Sequence, residues 1–235
     1  MKLSIIIPVF NEEKFIAHVL KRIEQVQLPK SIKKEIIVID DGSTDRTHEV
    51  LSKQRIRFKY FRHKKNRGKG AAIKTGLSKI SGDLVIIQDA DLEYNPDYYL
   101  KLLQPILKDH ASVVYGSRLI NYPLKLWGKD KTTLPTHLIA NKFLTFLTNL
   151  LYMSNLTDME TGYKLFKKSV IDKVYLKSEK FDFEAEITAK IIKRGIPIIE
   201  VPIIVTPRTY EEGKKIGVKD GIKAIWTLIK YRFKD

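Results

Sequence analysis

No cysteine occurs anywhere in the 235 residues. Disulfides and thiolate metal sites are therefore excluded, and a reducing compartment suits the chain. Long apolar runs are missing too. No stretch reaches the roughly 18 residues that cross a bilayer, and the nearest, Leu138 to Met153, is broken by Asn141, Lys142 and Asn149. The apolar run at the N-terminus stops at Pro8 and Asn11, too short for a signal-peptide core, and reads as a first buried strand. The phosphate loop G-x-x-x-x-G-K-[ST] is absent, and so is the nucleophile elbow G-x-S-x-G. Gly68 and Gly70 lack the third glycine of a dinucleotide fingerprint, because Ile73 stands there. They read as a tight turn opening a helix, with Lys69 near its N-terminus, and phosphate contact is the alternative. The five histidines show no metal-ligand spacing and read as surface residues.

Acidic residues are in deficit, 27 against 43 lysines and arginines, a formal charge of +16. The excess favours an anionic partner. The basic residues do not gather on one recognition helix, and no RNA-binding aromatic signature is present, so nucleic acid is not expected.

What is present is alternation. Continuous β-branched runs at Leu3–Val9, Glu35–Asp40, Arg57–Phe61, Leu84–Gln88 and Ser112–Tyr115 read as strands covered on both faces. Helical patterns lie between them near Glu12–Val26, Asp45–Gln54, Ala71–Ile80 and Asp97–Lys108. The order predicts βαβ units around a mostly parallel sheet, whose ligands bind beyond the carboxyl ends of the strands. The second half is less regular. It predicts a helix over Pro135–Met153, a loop through Asp158–Gly162, a helix over Asp182–Arg194, a strand over Ile196–Ile204 and a helix from Val218. We expect a catalytic domain over residues 1–210 and a basic amphipathic extension over 211–235.

Polar residues collect at the strand ends: Asn11-Glu12, Asp40-Asp41-Gly42-Ser43, Asp89-Ala90-Asp91 and Gly116-Ser117-Arg118. In VIIQDADLEYNP the two aspartates offer oxygen ligands to a hard divalent ion, Mg²⁺ or Mn²⁺, with Glu93 as a further ligand or water holder. A solvated strand end is the alternative.

The segments IIIPVFNEE, IIVIDDGSTDRT, GDLVIIQDADLEYNP, VYGSR, DMETGYKLF and RGIPIIEVPI together resemble family-2 glycosyltransferases. In detail they are similar to the polyprenyl-phosphate branch, which includes dolichol-phosphate mannose synthases. The resemblance spans Lys2 to about Arg208. It implies a three-layer α/β/α nucleotide-diphospho-sugar transferase fold of the GT-A type with a mixed, mostly parallel sheet. It further implies inverting transfer of a hexose from a nucleotide-diphosphate sugar, GDP-mannose, UDP-glucose or UDP-N-acetylglucosamine, to a polyprenyl or dolichyl phosphate. Carried over by position, Pro8, Phe10 and Glu12 lie against the base and ribose, Ile39 and Asp41 complete that pocket, and Asp89, Ala90 and Asp91 meet the diphosphate and metal. Tyrosine is frequent in the family at position 10 and glutamine at position 93, where this chain has Phe10 and Glu93. Asp158 matches the acidic loop and is expected to orient the acceptor or act as base. Glu184 and Glu186 are within reach of the same site, although Glu186 reads better as packing beneath the cleft.

A phosphate acceptor, with its second pKa near 6, is largely dianionic and needs cations more than a base. Arg118, Arg208, Lys214 and Lys215 are the expected cations, with solvated surface charge as the alternative for each. In the final helix Val218, Ile222, Ile225, Trp226, Ile229 and Phe233 form an apolar stripe flanked by Lys219, Lys223, Lys230 and Lys234, the pattern of an interfacial helix. Pro135–Met153 has a broader apolar face, with Asn141, Thr145, Asn149 and Tyr152 on a narrow polar side. Packing on the sheet or in a homodimer is the alternative for both. The expectation is a peripheral protein on the cytoplasmic face of a membrane, held there directly or by a partner subunit. Its rivals are transfer to a saccharide or other hydroxyl, with Asp158 as base, and a non-catalytic nucleotide-sugar-binding subunit.

Overall fold

A computed structural model describes residues 1–120, 135–206 and 217–234. Arg208, Lys214, Lys215 and the 210/211 boundary lie outside the described residues. The first half runs β1 (Lys2–Val9), α1 (Ile16–Gln25), β2 (Lys33–Asp40), α2 (Thr47–Ser52), β3 (Lys59–Arg62), α3 (Lys69–Leu77) and β4 (Leu84–Ile87). A 3₁₀ turn at Pro96–Tyr98 leads into α4 (Tyr99–Leu107), followed by β5 (Val113–Ser117). Then come α5 (Pro135–Tyr152), β6 (Lys164–Lys167), α6 (Lys168–Ile171), α7 (Phe183–Lys193), β7 (Ile198–Pro202) and α8 (Val218–Phe233).

These strands form one sheet in the order β3-β2-β1-β4-β6-β5-β7. β1 pairs in parallel with β2 and β4, while β6 runs antiparallel to both β4 and β5. The sheet is therefore mixed and mostly parallel. Alternation along β1 divides the core. Leu3, Ile5, Ile7 and Val9 pack with α1 and α4 on one face, while Gly76 of α3 lies on the other, where a Cβ would come within 2.5 Å of Ile6 Cγ2. Ile87, Tyr115 and Phe166 pack on that second face with α6 and α7. Layers on both faces explain why the strands read as unbroken apolar runs. α8 joins α5 and α7 through Ala224, Leu228 and Tyr231, all buried. It is integral to the fold, not appended to it.

The strand β6 and the short α6 were not expected from sequence. Four residues, Lys164–Lys167, with a lysine at each end, carry too little apolar signal, yet tertiary pairing places them mid-sheet. The sheet directions carry the C-terminal ends of β1, β2, β4 and β5 to one edge, and the polar strand ends meet there.

Candidate active site

Each strand end is shaped by a specific local bond. After β1, Asn11 adopts a positive φ of 52°, which asparagine tolerates better than most residues. Its Oδ1 accepts from Thr44 N at 2.8 Å, and its own N–H donates to Ser43 Oγ at 3.0 Å, tying the β1 and β2 ends together. Asp41 is buried and accepts from Gly68 N at 2.6 Å and from Arg67 N at 3.1 Å, while His63 Nδ1 lies 2.6 Å from its Oδ1. Asp41 thus fastens the turn that opens α3. Gly68 at the head of that helix has φ 104°, and a Cβ there would meet Glu179 O at 2.4 Å. Only glycine fits this turn without strain.

The Asp89-Ala90-Asp91 turn is held from beneath by Gln88. Its buried Oε1 accepts from Tyr99 Oη at 2.7 Å and from Tyr163 Oη at 2.8 Å, and its Nε2 donates to Tyr94 O at 3.2 Å. Tyr94 Oη in turn accepts from Gly162 N at 2.8 Å. A Cβ on Gly162 would sit 2.4 Å from Asp89 Oδ2, so the aspartate is cradled against bare backbone. Asp91 Oδ1 accepts from Glu93 N at 3.2 Å.

Asp158 is fully buried. It takes Arg118 bidentately, Nε to Oδ2 at 2.7 Å and Nη2 to Oδ1 at 2.8 Å, and also accepts from Arg118 N at 2.9 Å. Its own N–H, with that of Thr157, donates to Glu200 of β7 at 3.0 and 2.7 Å. Burial would push the Arg118 guanidinium down, but Asp158 holds it above its ordinary value. Asp158 is an anchor for Arg118 here, and Glu200 is an anchor for Asp158.

These ends surround a cavity of about 480 Å³. Of the expected nucleotide and metal residues, Pro8, Phe10, Glu12, Asp41, Asp89, Ala90, Asp91, Glu93 and Arg118 all line it. Ile39 does not. It is fully buried with Ile37 and Ala72 beneath the cavity, and Asp158 sits behind Arg118. Glu184 lines the cavity, whereas Glu186 is bound to Lys177 N, Ser178 N and Lys190 Nζ as a helix-packing group. The surface reading of the histidines fails for two of them. His63 is fixed between Asp41 and Thr75, and His137 lines the cavity.

Three charged groups, Lys69 and Glu160 on the cavity wall and Lys164 bonded to its Glu184, carried little sequence signal. Lys69 Nζ lies 2.8 Å from Asp89 Oδ1 and 3.1 Å from Glu184 Oε1. Burial alone would lower its pKa, but Asp89 and then Glu184 raise it above the ordinary lysine value. Lys164, wholly buried, donates to Glu184 and to the carbonyls of Met159 and Thr161. Glu160 has its pKa pushed up to about 7, first by burial and then by the charge of Glu184. Only the place of Glu160 in the acidic loop pointed toward it.

Among the described residues, no three acidic or histidine side chains close a metal cage. The donor set is nevertheless suitable. Mg²⁺ commonly takes one or two carboxylates and fills its shell with water and phosphate, and a cation, the Lys69 ammonium, already rests on Asp89.

Comparison with known proteins identifies relatives of the whole chain. UDP-N-acetylglucosamine--dolichyl-phosphate N-acetylglucosaminyltransferase of Methanococcus voltae is 30% identical over 96% of this chain and 94% of its own. Dolichol-phosphate mannosyltransferase of Pyrococcus furiosus is 28% identical over 98% of this chain and 64% of its own. Among solved structures, glucosyl-3-phosphoglycerate synthase from Mycobacterium tuberculosis, in complex with Mn²⁺, UDP and glucosyl-3-phosphoglycerate, matches all of this chain and 81% of that one. Its TM-score is 0.72 at 20% identity, a likeness of fold. The model of "Glycosyl transferase family 2" matches residues 4–175, and the chain belongs to that family: it is a glycosyltransferase.

Proposed function

We propose that this enzyme moves a hexosyl unit from a nucleotide-diphosphate sugar to a polyprenyl phosphate of the dolichyl type at a membrane surface. The observation that carries this reading is the orientation of α5. Its polar residues turn inward: His137 and Asn141 line the cavity, and Thr145, Thr148 and Tyr152 are buried. Its apolar residues turn outward, with Ile139, Phe143, Phe146 and Leu150 all more than half exposed. The narrow polar side is thus largely the protein-facing side. On α8 the outward stripe is Ile222, Trp226, Ile229 and Phe233, with Trp226 68% exposed. Two adjacent helices therefore present apolar faces beside exposed lysines, and both contribute residues to the cavity wall. This suits a headgroup layer from which a lipid-linked phosphate enters. No described helix is long and apolar enough to cross a membrane. Two relatives named for transfer to dolichyl phosphate support the same acceptor.

In this scheme Phe10 and Pro8 stack against the base, and Asp41 acts indirectly by fixing the Arg67-Gly68 turn. Asp89 and Asp91, with Glu93 beside them, would hold a divalent ion, which when bound would supply positive charge against the departing nucleoside diphosphate. Arg118, aimed by Asp158, positions a phosphate with the N–H groups that Asp158 leaves over. A phosphate oxygen attacks the anomeric carbon as the bond to the diphosphate breaks, inverting the centre. The dianionic acceptor has no proton to lose, so Asp158 is not needed as a base. Arg208, Lys214 and Lys215 are retained as acceptor-phosphate ligands.

The test is a thermal-shift panel of UDP, GDP and their sugars with and without Mn²⁺, followed by transfer of labelled sugar to dolichyl phosphate in vesicles. Binding at 100 times Kd adds about 2.7 kcal/mol. A metal-dependent shift with one base and label in the lipid phase is expected. Label transferred to a soluble saccharide alone would replace this reading with the hydroxyl-acceptor one.

A further inference from the structure

The scheme above gives no role to Glu160, although its side chain lines the cavity. Its Oε1 is sealed from solvent and has no hydrogen-bond partner. Three nearby cations are already matched with other carboxylates. Arg118, following β5, is chelated by Asp158. Lys164 of β6 is bonded to Glu184 of α7, and Lys69 of α3 spans Glu184 and Asp89. Glu12, Asp91, Glu93, His137 of α5, Lys180 and Asp220 of α8 face the same space. Among the described residues Glu160 is thus a carboxyl whose Oε1 has no hydrogen-bond partner, in the cavity that the scheme above fills with phosphates.

We infer that Glu160 meets its substrate protonated and donates a hydrogen bond from its carboxyl to a phosphate oxygen, either of the donor diphosphate or of the acceptor. This rests on the cavity being the place where those phosphates gather. An ionised Glu160 would set like charges side by side, and burial disfavours that form already. A neutral carboxyl instead supplies a donor to an anion, the stronger class of hydrogen bond, and gives the orphaned group its partner. Its pKa, pushed up to about 7, makes the neutral form accessible at physiological pH. A bound phosphate beside it raises that value further. The role is one of binding and positioning, and no proton leaves Glu160 in the reaction.

The experiment compares wild type, Glu160→Gln and Glu160→Ala between pH 6 and 8.5. Two readouts are used: calorimetric binding of the preferred nucleoside diphosphate with Mn²⁺, and kcat/KM for transfer to dolichyl phosphate. In the wild type, the readout that involves Glu160 should fall about tenfold per pH unit above the apparent pKa. Glu160→Gln, which keeps a donor at every pH, should flatten that limb and keep at least about a third of the low-pH value. Glu160→Ala should lose at least tenfold in the same readout while melting at a temperature similar to Glu160→Gln. A limb in nucleotide binding assigns the contact to the donor; a limb confined to acceptor kcat/KM assigns it to the acceptor. The acceptor's own ionisation runs the opposite way, strengthening with pH, and does not imitate this limb.

A rate that rises through pH 7 in the wild type and is abolished in Glu160→Gln would make Glu160 a general base and overturn the proposal. A falling limb that survives in Glu160→Gln would assign the proton elsewhere and overturn it equally. If the wild type binds nucleotide but glycosylates no polyprenyl phosphate, the acceptor reading fails. The nucleotide arm then decides Glu160 alone, and pH-independent binding there overturns it.

Discussion

Replacing Glu160 by glutamine should stabilise the substrate-free enzyme in a way that grows with pH. The carboxyl has an ordinary value of 4.5 and is raised to about 7 in the fold. Below 4.5 it is neutral in both folded and unfolded chains, and burial costs nothing through ionisation. Between these values the unfolded chain loses the proton while the folded one keeps it, so stability drains away as pH rises. Above 7 the loss is complete. At 1.36 kcal/mol per pH unit the gap is worth about 3 kcal/mol, of which roughly 2.5 falls between pH 5 and pH 8. Glutamine is neutral throughout and escapes this loss. The check is urea unfolding of both proteins at several pH values, with chelator and without nucleotide, taking the difference in unfolding free energy. Titrating groups that do not interact with Glu160 cancel in that difference. In melting temperature the divergence should be about 5–10 °C for a chain of this size. A difference that stays constant from pH 5 to pH 8 would refute the claim that the fold holds Glu160 protonated.

Asp91→Ala should lose at least about a hundredfold in transfer, since a metal supplies several kcal/mol to the transition state. Its melting temperature should change little, because Asp91 is only half-buried at a strand end; transfer at the wild-type rate would remove its metal role. Lys69→Met leaves Asp89 and Glu184 without the ammonium between them and should cost about 3 kcal/mol in metal-free protein, as broken buried pairs do. Mn²⁺ should restore part of that melting temperature, and equal destabilisation with and without metal would count against a cation site on Asp89. Trp226→Asp combined with Phe146→Asp should cut sedimentation with anionic vesicles at least tenfold without lowering stability, both residues being exposed. Unaltered vesicle binding with a shift from dimer to monomer would reassign the apolar faces to a second copy.

How far the sequence reveals this molecule depends on whether a feature is local or assembled. β1, β2 and β4 were legible as runs of Ile and Val because both sheet faces are covered, and the edge follows once their ends are known to be parallel. β6 was not legible, since Lys164–Lys167 has its strand state imposed by neighbours far along the chain. Asp89 and Asp91 were legible as a pair at a strand end. Gln88, which holds their turn, was hidden because an amide inside a strand carries no sign of the tyrosines it will meet at positions 99 and 163. Periodicity located the apolar stripes of α5 and α8 but could not say which side faced out. That depended on Thr145, Thr148 and Tyr152 finding partners inside the protein, such as Leu228 O for Tyr152 Oη.

The same distinction bears on the basic excess of the chain. A net +16 suggests a site that is simply positive, yet two of the cavity's cations are already paired, Lys69 with Asp89 and Glu184 and Arg118 with Asp158 behind it, and the buried Lys164 is bonded to Glu184. Unpaired cations would bind a diphosphate strongly and release it slowly, since the attraction at low dielectric is large. Paired ones offer only a difference in affinity, because a phosphate arriving at Lys69 competes with a carboxylate. A divalent ion held by Asp89 and Asp91 would change that competition, because those carboxylates would no longer need Lys69 and its ammonium would be free for phosphate. Nucleotide affinity should therefore depend on metal far more steeply in the wild type than in Lys69→Met. Calorimetric titrations of the two proteins with nucleoside diphosphate across a range of Mn²⁺ concentrations measure this directly. Parallel metal dependences would show that Lys69 stays on its carboxylates throughout the cycle.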